Sequence, residues 1–118
     1  MNKKTKPVTL FLIEDDDVDA LTIERSFKKN RISNSIIRAT DGVDALDMLH
    51  SGAVPKPFII LLDLHMPRMS GHEFLDALRA DEDYANTVVF VLTTSIANED
   101  IQESYKHKVA GYYVKEEA

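Results

Sequence analysis

Cysteine is absent from this sequence, which excludes a disulfide framework and thiol chemistry and fits a reducing cytosol. Long apolar runs are absent too. Stretches such as Phe58 to Leu62 are far too short to cross a bilayer, and the N-terminus carries no signal-peptide core. A basic surplus is also missing: 14 Lys and Arg stand against 20 Asp and Glu, a formal net charge of −6 with His neutral. That sign argues against binding nucleic acid or an anionic membrane through the net field, and it suits a cation site. No internal repeat, low-complexity tract or second compositional zone interrupts the chain. It reads as soluble and cytoplasmic.

What is present suffices for one domain. A chain of 118 residues, 44% hydrophobic and 29% charged, buries a core without covalent staples. Met1 to Pro7, with Lys3, Lys4 and Lys6, has no apolar period and reads as a solvated N-terminal tail (1–7) before a domain over 8–118. Val8 to Ile13, Phe58 to Leu62 and Val88 to Leu92 are apolar at nearly every position, as strands are when helices cover both faces of a sheet. Ser35 to Ala39 and Tyr112 to Val114 are weaker strands. Between them lie helical patterns. Ala20, Ile23 and Phe27 mark the first, and Val43, Leu46 and Leu49 the second, after an Asp41 N-cap. Phe74, Leu75 and Leu78 mark the third after the Pro67 to Gly71 turn, and Ile101 and Tyr105 the buried face of a fourth from about Asn98. The alternation predicts an α/β fold, a doubly wound five-stranded parallel sheet with right-handed crossovers.

Ligands of such sheets bind beyond the carboxyl ends of the strands. Those ends carry Glu14-Asp15-Asp16-Asp17, then Asp63, then Thr93-Thr94-Ser95, and finally Lys115. If the first and third strands are neighbours, the Asp15 and Asp63 carboxylates approach closely and repel unless a hard dication such as Mg²⁺ lies between them. A carboxylate in that setting can attack phosphorus to give an acyl phosphate. Thr93 and Lys115 would then face the other phosphoryl oxygens.

Taken together, Phe11-Leu-Ile-Glu-Asp-Asp16, Ile60-Leu-Leu-Asp-Leu-His-Met-Pro-Arg-Met-Ser-Gly71, Val91-Leu-Thr-Thr-Ser95 and Gly111-Tyr-Tyr-Val-Lys115 resemble the receiver domain of two-component response regulators. The likeness runs from Val8 onward. It implies a flavodoxin-like, chemotaxis-regulator-like fold with strand order 2-1-3-4-5. It implies Asp63 as phosphoacceptor, charged by a phosphohistidine of a sensor histidine kinase. Glu14 and Asp15 correspond to the acidic pair, with Asp15 the direct Mg²⁺ ligand and Glu14 acting through water; His65 would offer the metal its backbone carbonyl. Thr93 matches the switch hydroxyl, Lys115 the phosphoryl-pairing lysine and Tyr112 the aromatic switch, which reshapes the face around the fourth helix and fifth strand. The Thr93 and Met66 neighbourhoods are similar to those of stand-alone regulators paired with bacterial phytochromes.

Two features depart from the family. Glu116 follows Lys115 where proline is usual, so a cis peptide there would cost about 2.5–4 kcal/mol instead of roughly 0.5–1. No pattern for a fifth helix follows Val114, so that helix is expected to be missing or truncated, leaving one sheet face bare and inviting a homodimer through the α4-β5 face.

Competing patterns fail on residue type. Asp15-x-Asp17-x-Asp19 does not open a calcium loop, because Ala20 stands at the turn glycine and Ser26 at the closing glutamate. Asp16, Asp17 and Asp19 are read instead as the acidic first turn of a helix. His72-Glu73 lacks the second histidine of a zinc-protease helix, Asp76 being there. His50 and His107 are read as exposed helix-end residues, and Arg25, Lys28, Lys29 and Arg31 as cations near a helix C-terminus. An Mg-dependent aspartyl-nucleophile phosphohydrolase is the alternative function. It needs a second acid two residues after the nucleophile, where this chain has His65.

Overall fold

In the computed structural model, which describes residues 7–115, strands and helices alternate from first to last. They are β1 (Thr9–Ile13), α1 (Asp17–Lys29), β2 (Ile36–Ala39), α2 (Gly42–His50), β3 (Phe58–Leu62), α3 (Gly71–Ala80), β4 (Val89–Thr93), α4 (Asn98–Lys106) and β5 (Gly111–Val114). All strand pairs are parallel and the order is β2-β1-β3-β4-β5, the doubly wound arrangement expected. Among the described residues no helix follows β5, and none is long and apolar enough to cross a membrane. The expected tail over residues 1–7 lies outside the described residues apart from Pro7, as does the Lys115-Glu116 peptide apart from Lys115.

The sheet separates two cores. On one face Phe11, Ile13, Ile60, Leu62, Val89 and Val91 pack against Ala45 and Leu49 of α2 and Phe74, Leu75 and Leu78 of α3. On the other, Leu12 and Leu61 pack against Ala20 and Ile23 of α1, with Phe90 and Leu92 only half covered. A gap of about 400 Å³ between α1 and the end of β4-β5 is lined by Ile23, Leu92, Val114 and Lys115, and Tyr113 beside it is 55% exposed. Among the described residues α1 is the helix packed on that side, and this part of the sheet is open.

Side-chain caps define three of the four helix starts. Asp16 accepts from the Val18 and Asp19 amides, Asp41 from the Asp44 amide, and Ser70 and Glu73 form a reciprocal capping box. The fourth starts at Ala97 with no side-chain cap.

Three expectations need correction. Tyr105 is exposed; the buried position of α4 is Ser104, whose hydroxyl is satisfied by the Asp100 carbonyl at 2.8 Å, so a polar side chain occupies the inward face. His107 is largely covered, its ring lying 3.3 Å from Glu103 and 3.5 Å from Asp76, whereas His50 is exposed as expected. Pairing of β4 begins at Val89, and Val88 is 44% exposed, because residue 88 contributes its carbonyl to Ile60 before the strand proper.

Candidate functional site

Register brings the chemistry together. Ile13 pairs with Leu62 and Thr93 with Val114, so Glu14 and Asp63 leave adjacent strands side by side, and Lys115 follows β5 next to Thr93. The main chain is anchored as each strand ends. The Asp63 amide donates to the Ile13 carbonyl (3.1 Å), Glu14 to Ala39 (3.0 Å) and Lys115 to Thr93 (2.7 Å). Glu14, Asp63 and Thr93 are buried, while Asp15 is exposed at the rim.

One carboxylate oxygen from each of Glu14, Asp15 and Asp63 lies within 4.8 Å of the others. Lys115 Nζ sits among them, 2.5 Å from Glu14 Oε1, 3.0 Å from Asp19 Oδ2 and 3.6 Å from Asp63 Oδ2. One ammonium does not neutralise so many acids. Burial pushes the Glu14 carboxyl up to about 7 despite the Lys115 hydrogen bond, and the Asp63 charge adds to the rise. Burial works against the Lys115 charge, yet hydrogen bonds to Glu14 and Asp19 hold its ammonium above the ordinary lysine value. Three carboxylate oxygens gathered this closely form a hard-donor set that fits Mg²⁺.

The β3–α3 loop is fixed in shape. His65 turns its amide toward Asp63 Oδ1 at 3.4 Å and exposes its ring. Arg68, with φ of 63°, is held in the left-handed region by a two-toothed pair with Asp41 at 2.7 and 3.0 Å. The Gly71 amide donates to the Leu64 carbonyl at 2.9 Å, and a Cβ at Gly71 would stand 2.7 Å from the Asp63 carbonyl oxygen. The glycine of the motif is therefore a close-approach residue that seats α3 against the backbone of Asp63.

Thr93 is fully buried, and its Oγ1 receives the Ser95 amide at a long 3.4 Å. Tyr112 is half-buried and donates its hydroxyl to the Ser95 carbonyl at 3.0 Å. All the residues expected at the site thus gather at one end of the sheet, with Tyr112 one loop away.

A family pattern spans almost the whole chain: residues 10–118 match the response regulator receiver domain model. The chain belongs to the response regulator receiver domain family. This receiver domain is 34% identical over 112 residues to the probable methanogenesis regulatory protein FilR2 of Methanothrix harundinacea, covering 92% of this chain and 72% of that one. It is 30% identical over 118 residues to response regulator Rcp1 of Synechocystis sp., covering 97% and 80%. The crystal structure of the Mn²⁺-bound form of Rcp1 superposes with a TM-score of 0.85 at 31% identity, over 95% of this chain and 84% of that chain. The phosphorylated cyanobacterial phytochrome response regulator RcpA gives a TM-score of 0.85 at 30% identity, over 94% and 82%. The likeness to phytochrome-associated regulators agrees with the sequence motifs.

Three contacts at this receiver's site escape a linear reading. Asp19, taken as helix surface, is a direct partner of Lys115 because it lies on the turn of α1 facing the strand ends. Arg68 meets Asp41 across 27 positions of sequence. Asp100 and His72 meet at 2.9 Å between α4 and α3. An acid in an uncapped first turn was the only signal for Asp100.

Proposed function

We propose that this receiver domain is a phosphorylation-controlled switch in which the Asp63 carboxylate accepts a phosphoryl group from the phosphohistidine of a sensor kinase. The observation that carries it is the convergence of Glu14, Asp15, Asp63, Thr93 and Lys115 at the strand ends, with one ammonium among three clustered carboxylates. An Asp63 oxygen attacks phosphorus, the phosphorus–nitrogen bond breaks, and the electron pair leaves with the kinase imidazole. Lys115, 3.6 Å from Asp63 in the resting state, pairs with a phosphoryl oxygen, and the Thr93 hydroxyl turns to another. Glu14, Asp15, Asp63 and the His65 carbonyl would hold Mg²⁺, which when bound neutralises phosphoryl charge during transfer. Tyr112 then follows Thr93 and alters the α4-β5 face. The solvent-facing Tyr113 and Val114 of the β5 edge suit that face to a homodimer.

In this reading the unit is residues 8–118, works in the cytoplasm, contacts neither nucleic acid nor membrane, and catalyses only its own phosphorylation and slow dephosphorylation. The phosphohydrolase alternative gains no support, since the position of its second acid is the exposed His65. The partner kinase is of the phytochrome class, as the names of the similar regulators suggest. Transfer from a panel of ³²P-labelled sensor kinases tests this. Fast Mg²⁺-dependent labelling by a phytochrome-type kinase, lost in Asp63→Asn, is expected; no transfer from any member of the panel would refute it.

A further inference from the structure

Asp100 in the first turn of α4 gathers side chains from three other segments. Its Oδ2 accepts from Ser95 Oγ at 2.5 Å, its Oδ1 lies 2.9 Å from His72 Nε2 of α3, and His65 Nε2 of the β3–α3 loop is 3.8 Å away. The Ser95 and His72 hydrogen bonds hold the Asp100 carboxyl below the ordinary aspartate value, so these bonds are charge-assisted at neutral pH. Among the described residues the buried Nδ1 of His72 has no hydrogen-bond partner, so its ring is held by the Asp100 bond.

Ser95 is the hub on the other side. Its amide donates to Thr93 Oγ1 at 3.4 Å, its Oγ accepts from the Ala97 amide at 3.2 Å, and its carbonyl accepts from the Tyr112 hydroxyl at 3.0 Å. α4 lacks a side-chain cap at Ala97, and Ser95 Oγ, accepting from the Ala97 amide and donating to Asp100 Oδ2, ties the β4–α4 loop to the start of the helix. Among the described residues the Thr93 hydroxyl, unlike its main chain, carries a single long bond, from the Ser95 amide at 3.4 Å.

We propose that Asp100 is a positioning residue: through Ser95 and His72 it latches the β4–α4 loop in the resting arrangement, and the latch must yield before Thr93 and Tyr112 move. This rests on Asp63 being the phosphoacceptor. The resting state keeps the Ser95–Asp100–His72 chain intact, and moving the β4–α4 loop that follows Thr93 toward Asp63 draws Ser95 away from Asp100. A ligand that stabilises the moved loop works against that chain, so weakening the chain shifts the equilibrium toward the ligand-competent form. A charge-assisted bond of this kind corresponds to roughly a tenfold change in the equilibrium.

The test is amide NMR on the wild type, Asp100→Asn, Ser95→Ala and Ser95→Thr, each titrated with beryllofluoride and Mg²⁺ as the phosphoryl mimic. The account expects Thr93 and Tyr112 resonances in ligand-free Asp100→Asn and Ser95→Ala to move toward their wild-type ligand-bound positions. Beryllofluoride affinity should rise about tenfold in both, while Ser95→Thr, which keeps the hydroxyl, behaves as wild type. Wild-type ligand-free resonances with unchanged or weaker affinity in both variants would overturn the latch while leaving the phosphoacceptor intact. A wild type that ignores beryllofluoride would overturn the phosphoacceptor and the latch together.

Discussion

Gly71→Ala sets two opposed effects against each other. As the first residue of α3 an alanine gains helix propensity, worth up to about 1 kcal/mol over glycine. Its Cβ, however, would stand 2.7 Å from the Asp63 carbonyl oxygen, 2.7 Å from Leu64 Cα and 2.9 Å from Leu64 Cδ2. Two of these atoms are backbone, so no side-chain rotation relieves the overlap. The closest approaches fall roughly 0.7 Å short of ordinary contact, and forcing the β3–α3 junction apart costs about 2–3 kcal/mol. Overlap therefore wins, and a net loss of about 1–2 kcal/mol is expected. At about 4 °C per kcal/mol for a chain of this length, thermal unfolding followed by circular dichroism should show a Tm lower by roughly 4–8 °C. The same displacement moves Asp63, so acetyl-phosphate labelling should slow by about tenfold or more. A Tm above that of the wild type, with unaltered labelling, would refute the claim that Gly71 is required by close approach to Asp63.

Three other outcomes follow from the geometry. Lys115→Met removes the ammonium shared by Glu14, Asp19 and Asp63, so Asp63 labelling by acetyl phosphate should fall about 100-fold, read on phosphoprotein gels; the Glu14 carboxyl should titrate higher still, read by carboxyl-carbon NMR. Arg79→Ala strands the carbonyls of Ala85, Thr87 and His107, which its guanidinium binds at 2.7–3.0 Å, and urea denaturation should show a loss of about 2–4 kcal/mol with Mg²⁺ binding unaffected. The Arg68 hydrogen bond lowers the Asp41 carboxyl, so its stabilisation is fully present above the unfolded value of about 4 and is lost as pH falls through the lower folded value. Urea midpoints measured between pH 6 and pH 2.5 should therefore decline less steeply below about pH 4 in Arg68→Met than in the wild type.

The sheet was legible because buried parallel strands are apolar on both faces, and Phe11 to Ile13, Ile60 to Leu62 and Val89 to Val91 meet that condition. The clustering of the candidate site was legible for a related reason: this architecture binds ligands at the strand ends, where Glu14, Asp63, Thr93 and Lys115 interrupt apolar runs. Periodicity misled in α4. An inward serine satisfied by the Asp100 carbonyl carries no hydrophobic signal, so Tyr105 took the place that Ser104 fills. The partnerships of Asp19 with Lys115, Arg68 with Asp41 and His72 with Asp100 depend on how helices and loops pack, and no local spacing encodes them.

The central claim is that Asp63 takes up a phosphoryl group with the help of the carboxylates and ammonium around it. Intact-mass spectrometry after incubation with acetyl phosphate and Mg²⁺ tests it most directly. The expected result is a gain of one phosphoryl mass that maps to Asp63, that disappears when the metal is chelated, and that is missing from Asp63→Asn. An unlabelled wild type, or a label that persists in Asp63→Asn, would contradict it.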